Sequence, residues 1–432
     1  MLMQSPSRHP PEFAVPIARV SGRAPASARP MLYDAFDFQT DLAAQTRAWG
    51  RMLHDAWSPW IRWSEPARWM SANARMMMRV GLTFARPAYG IEAVDVGNRS
   101  VPVREEAVEV TPFGTLLHFK KDIHTEQPKV LMVAPLSGHF ATLLRATVRT
   151  MLPDHDVYIT DWHNARDIPV SAGRFGFDEY VAHLVQFLQT MGEGSHVVAV
   201  CQPAVQALVA AAVMAQAKDA AAPRSMTLMA GPVDCRINPT GVNALATSKP
   251  IEWFEENLIA TVPARHKGAG RRVYPGFVQV SAFMSMNTKR HVQGHTDLFW
   301  HMANGEDSKA EAIETFYDEY FAVLDLAAEF YLETVKTVFQ DYTLAKNELR
   351  YRGQPIDLGA IRRTALMTVE GERDDICAPG QTMAAHDLCT GLAPYMRAHH
   401  LQAGVGHYGV FAGKRWETQI YPQVRNFIQA HN

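Results

Sequence analysis

The stretch Ser195 to Met214, SHVVAVCQPAVQALVAAAVM, constrains the fold more than any other part of the chain. A short apolar, β-branched run from His196 to Val200 stops at Cys201, and Pro203 opens an Ala- and Val-rich segment with no further helix breaker. The pattern predicts a buried strand, a tight turn and a helix, with a thiol at the turn. A nucleophile at such a corner is lifted above the sheet edge, and the helix N-terminus behind it favours negative charge. Cys201 is therefore the candidate nucleophile, and the amide of Gln202 is the natural oxyanion donor. The regular form of this corner has Gly two residues either side of the nucleophile, because side chains crowd so sharp a turn. Here those positions hold Ala199 and Pro203. Ala is small, and Pro suits a first helical position with its fixed φ and missing N–H. The competing reading of Cys201 alone is a core cysteine at a strand end.

The segments around the corner alternate in type. Val108 to Phe119 reads as a strand pair turned at Pro112-Phe113-Gly114, and Lys129 to Ala134 as a buried strand. That strand runs into Pro135-Leu136-Ser137-Gly138-His139-Phe140, a small-residue loop able to supply a second oxyanion amide from Leu136 or Ser137. Val157 to Thr160 precedes Asp161-Trp162-His163-Asn164, Asp178 to Thr190 is helical, and Ser225 to Ala230 is a further strand. Thr364 to Val369 leads to Glu370-Gly371-Glu372-Arg373-Asp374-Asp375, where Asp374 has the offset from Gly371 that enters a site from the sheet edge and Asp375 is the fallback. A last strand, Met396 to Ala403, is followed by Gly404-Val405-Gly406-His407-Tyr408-Gly409 and a C-terminal helix from about Trp416 to Ala430.

Strands alternating with helices at this spacing predict an α/β protein with a mostly parallel central sheet and helices on both faces. Nucleophile, acid and His fall at 201, 374 and 407, each after its own strand, which is the chain order of α/β hydrolases. Between about 236 and 345 the alternation lapses into an aromatic-rich stretch, the usual form of a cap or lid inserted into such a domain. The expected organisation is a disordered extension at 1–30, a helical Trp- and Met-rich region at 31–100, the core at 101–235 and 346–432, and the cap at 236–345. The Pro- and Arg-rich residues 1–30 lack the apolar core of a secretory signal. The aromatic helices at 31–100, with Trp49, Trp57, Trp60, Trp63 and Trp69, would by default pack on a core; exposed, they would offer an adaptable apolar surface.

A formal net charge of −2 with 20% charged residues gives no electrostatic reach toward nucleic acid. The four cysteines, at 201, 235, 377 and 389, form neither a zinc signature nor a disulfide framework, and point to a reducing compartment. No ligand cluster calls for a metal, no cofactor motif is present, and the one apolar run long enough to resemble a membrane span, Val197 to Ala217, is interrupted by Gln202, Pro203, Gln206 and Gln216.

AVCQP at Cys201, DWHNAR at Asp161, SMNTKRHVQGHTDLF from Ser285, GERDDI around Asp374 and GVGHYGVF around His407 together resemble the intracellular polyhydroxybutyrate (polyhydroxyalkanoate) depolymerases of bacteria. The resemblance runs from Met31 onward. It implies a Cys201, Asp374, His407 triad, a thioester acyl-enzyme, no cofactor, and a cytoplasmic protein bound to storage granules whose polyester is its substrate; homo-oligomerisation is left open. The related polyhydroxyalkanoate synthases carry a Gly-bounded nucleophile box, which Ala199 and Pro203 do not reproduce. Acyl transfer of the synthase type, thiolysis to coenzyme A and a non-catalytic granule-binding role are the alternatives.

Overall fold

The computed structural model describes residues 29–123, 126–286 and 288–432. Two helices, α1 (Arg29–Trp57) and α2 (Glu65–Met78), form an N-terminal hairpin. Ser64 caps α2 by accepting from the Ala67 amide. The sheet begins with β1 (Ala93–Val96), β2 (Arg99–Val110) and β3 (Gly114–Lys121), and continues with β4 (Lys129–Val133), α3 (Arg145–Met151), β5 (Asp156–Trp162), α4 (Phe177–Met191), β6 (Ser195–Val200), α5 (Ala204–Gln216) and β7 (Ser225–Met229).

A long insertion follows β7. It contains α6 (Gly241–Thr247), α7 (Ile251–Leu258), α8 (Gly276–Met286), α9 (Thr288–Asn304), α10 (Asp307–Tyr320) and α11 (Ala328–Thr334), with the short strands β8 (Ala260–Thr261), β9 (Arg272–Tyr274) and β10 (Leu326–Ala327) paired antiparallel. A small ribbon of β11 (Arg350–Tyr351) and β12 (Gln354–Pro355) leads back to β13 (Ala365–Gly371), β14 (Arg397–Gln402) and a C-terminal helix Tyr421–Ala430.

The main sheet has nine strands in the order β1-β2-β3-β5-β4-β6-β7-β13-β14. The pairs from β1 to β5 through β2 and β3 are antiparallel, and those from β5 onward are parallel. This is the α/β-hydrolase fold. The order reverses at β4, whose neighbours β5 and β6 run alongside it, so the loops after β4 and β6 open on one crevice at the carboxyl edge of the sheet. β6 is buried at every position, and α5 is buried along almost its whole length, which is why their sequence is apolar without a helical or alternating stripe.

Two local readings change. The sheet starts earlier than the Val108 to Phe119 pair, because β1 and the first half of β2 carry too many charges to look buried and are half exposed. Within the insertion, α10 and α11 are separate helices divided by an extended stretch that includes β10, and α11 runs on into a π-helical turn, Val335–Gln340. The default core packing fails for Trp49, Trp60 and Trp63, which are 61%, 60% and 84% exposed, whereas Trp69 packs edge-on against Phe299 and Trp300 of α9. The expectation for 1–30 falls outside the described residues except at the start of α1.

Candidate active site

Cys201 lies between β6 and α5 with φ of 67°, a left-handed conformation that L side chains other than Asn and Asp seldom adopt. The corner is held from both sides. The Cys201 amide donates to the Met229 carbonyl at the end of β7, 2.7 Å away, and the Cys201 carbonyl accepts from the Ala204 amide at 3.2 Å. Ala199 is fully buried, and Pro203 sits one position ahead of the first residue of α5, with φ of −74°. Gly231, just past β7, gives the corner its room: a Cβ there would stand 2.1 Å from Ala204 Cβ.

Of the four cysteines, three are buried, and Cys201 alone is partly open. Burial pushes the thiols of Cys235 and Cys389 up to about 12 and raises that of Cys377 as well, so these three stay protonated and inert.

His407 follows β14 in a short turn, and its Nδ1 lies 2.8 Å from Asp374 Oδ2. A carboxylate accepts there, so Nδ1 carries the proton and Nε2 is left for another partner. Asp374 is fixed by its other oxygen, which accepts the amides of Ile376 at 2.9 Å and Cys377 at 2.8 Å. Asp375 is exposed, and the carboxylate facing His407 is that of Asp374. Burial alone would lower the pKa of His407; the charge of the Cys201 sulfur, with the imidazole's hydrogen bonds to Asp374 and Cys201, overrides it and raises the pKa above the usual imidazole range. Thiol, imidazole and carboxylate are thus brought together from the ends of three different strands.

The loop after β4 approaches from the other side. Trp162 Nε1 and the Tyr180 hydroxyl both donate to the Ala134 carbonyl, at 3.1 and 3.2 Å, and so fix the point where the loop leaves the strand. The Leu136 amide donates to Gln202 Oε1 at 3.2 Å. It must release that oxygen before serving an oxyanion. Among the described residues the backbone amides of Ser137 and Gln202 have no protein acceptor.

Sequence reasoning singled out DWHNAR without finding its work. Asn164 Oδ1 accepts the amides of Arg166 and Asp325, each at 3.1 Å, and Asp325 is a buried acid at the end of the insertion. The Asp325 carboxylate accepts the Tyr33 hydroxyl of α1 at 2.5 Å and the Gly276 amide of α8 at 2.8 Å. Asp325 thus ties the N-terminal hairpin to the insertion through its carboxylate and to the core through its amide. Its signal in sequence was only a lone Asp in an apolar run, AVLDLAA. Among the described residues no group of three or more His, Cys, Asp or Glu is placed to hold a metal ion, and no helix is long and apolar enough to cross a membrane.

Residues 230–432 match a family model described as PHB de-polymerase C-terminus. The match takes in the insertion, Asp374 and His407, and begins past Cys201. A poly(3-hydroxyalkanoate) polymerase subunit PhaC of Haloferax mediterranei is 22% identical over 326 residues, which is 72% of this chain and 61% of that protein. The aligned stretch thus spans about three fifths of the curated relative. Among solved structures, a thermophilic esterase from Thermogutta terrifontis is 14% identical with a TM-score of 0.40, covering 76% of this chain and 99% of that one. A Bacillus megaterium epoxide hydrolase is 11% identical with a TM-score of 0.43, covering 78% and 99%.

Proposed function

We propose that the chain hydrolyses the ester bonds of a polyhydroxybutyrate-type storage polyester through Cys201, His407 and Asp374. The observation that carries this reading is the strained Cys201 corner facing a histidine whose Nδ1 is held by a buried carboxylate. The match of residues 230–432 to a depolymerase family model supports the substrate class.

In the proposed reaction His407 Nε2 takes the Cys201 proton, and Asp374 steadies the imidazolium through Nδ1. The sulfur adds to the ester carbonyl, and the amides of Gln202 and of Ser137 or Leu136 hold the oxyanion. The C–O bond breaks, and the departing alkoxide takes the proton from His407. A 3-hydroxyacyl thioester remains on Cys201. Water, deprotonated by His407, then attacks the thioester, and the 3-hydroxy acid leaves with the thiolate restored. The residues at 236–345 act as the cap of this site. The exposed Trp49, Trp60 and Trp63 of the hairpin are the surface offered to the polymer, in line with a protein that works at granules in the cytoplasm without a membrane anchor.

The similarity to a polymerase subunit favours one alternative, transfer of the acyl group between thiols. Incubation with amorphous polyhydroxybutyrate, with and without coenzyme A, separates the two. Free 3-hydroxybutyrate in both tubes supports hydrolysis. A product that forms only with coenzyme A, as its acyl thioester, would transfer the assignment to the second reading.

A further inference from the structure

Two tyrosine hydroxyls stand beside the relay without a part in it. Tyr408 follows His407 in the same turn, its ring 6.0 Å from the imidazole and nearly perpendicular to it. The Phe411 ring backs it at 5.7 Å, and 43% of the surface of Tyr408 is open. Tyr320 ends α10 in the insertion. Its ring is 6.0 Å from His139, and His139 Nε2 donates to the Tyr320 carbonyl at 3.3 Å. His139 belongs to the loop that carries Leu136 and Ser137, so one phenol is tied to the histidine side of Cys201 and the other to the loop side. Phe316, stacked at 5.5 Å, and His291, at 4.9 Å, hold the Tyr320 ring.

The two phenols and the sulfur act on one another. Crowding by protein atoms, then the charge of Cys201, then that of Tyr320, raise the pKa of Tyr408, and burial followed by Tyr317 raises that of Tyr320. Both are protonated donors at neutral pH. Among the described residues neither hydroxyl has a protein hydrogen-bond partner, and a phenol at the mouth of a site is satisfied by water or by what binds there.

A simple acyl ester has one carbonyl, and it goes to the oxyanion amides. A poly(3-hydroxyalkanoate) chain has a further ester group on each side of the scissile one, and those oxygens accept but cannot donate. We infer that Tyr320 and Tyr408 are specificity-determining residues that donate to the ester oxygens of the polyester units flanking the scissile bond. The inference rests on the proposed hydrolysis and names how the site would tell a polyester from any other ester.

The variants Tyr320→Phe and Tyr408→Phe remove only the hydroxyls and leave both rings packed. The readout is the ratio of kcat/KM for a 3-hydroxybutyrate tetramer, whose central ester has a further ester on each side, to that for p-nitrophenyl butyrate. Each variant should lower this ratio about 3- to 10-fold, the worth of one neutral hydrogen bond, and the double variant should lower it further. A ratio unchanged in both variants, with wild type cleaving both esters, overturns the inference and leaves the hydrolysis standing. A wild type that cleaves p-nitrophenyl butyrate but not the tetramer, or neither, overturns the polyester reading and this inference with it.

Discussion

At the scale of single residues the account turns on which acid serves His407. Asp374 and Asp375 are neighbours in sequence and opposite in setting: one is buried with both oxygens engaged, the other exposed. Asp374→Asn would present an amide to Nδ1 and favour the wrong imidazole tautomer. In steady-state assays it should cost kcat up to about 10⁴-fold, while Asp375→Asn stays near wild type. Equal losses in the two variants would contradict the assignment. Cys201, Asp374 and His407 were legible in the sequence because each follows a strand end in a fixed chain order. The choice between Asp374 and Asp375 was not, since it depends on which carboxylate the loop turns inward, and the amides of Ile376 and Cys377 decide that.

At the scale of elements the corner between β6 and α5 exists because β7 leaves space beside it. Gly231→Ala would drive a methyl into Ala204 and the Cys201 carbonyl. Urea unfolding should show a loss of about 1–3 kcal/mol, and activity should fall further than stability because the displaced atoms carry the nucleophile. The Asp325 junction makes a second prediction. Tyr33→Phe leaves the ring but removes the donor to a buried carboxylate, which should cost about 1–3 kcal/mol in the same measurement. The β/α alternation of the core was readable because β4, β6, β7 and β13 are short, buried and apolar and the helices between them are bounded by turn residues. The insertion between β7 and β13 was readable only as an interruption. Its break after Tyr320 and its tie to α1 depend on contacts some three hundred residues apart, and no local pattern records those.

At the scale of the whole molecule, two surfaces of behaviour follow. Burial lowers the pKa of His139, His155 and His196 to about 4 each. The unfolded chain, whose histidines titrate near 6.5, therefore binds protons that the native state refuses. The stability contributed by these neutral side chains is complete above pH 6.5 or so and is lost as the pH falls toward 4, at about 1.4 kcal/mol per pH unit for each histidine. Urea midpoints should drop steeply between pH 6.5 and 4.5, and a flat profile would contradict the burial of these rings. The hairpin tryptophans make the other prediction. Composition favoured a core role for them, because a count of apolar residues cannot say which face of a helix finds a partner. With Trp63 84% exposed, Trp63→Ser should leave the urea midpoint within about 0.5 kcal/mol of wild type while lowering the fraction of protein that sediments with polyhydroxybutyrate granules.

The most direct test of the central claim is 3-hydroxybutyrate release from protein-free amorphous polyhydroxybutyrate by the wild type and by Cys201→Ala, with granule binding measured in the same tubes. Hydrolysis through Cys201 predicts release by the wild type, none by the variant, and equal binding by both. Equal release by the two proteins would contradict the nucleophile, and release by neither would contradict the depolymerase itself.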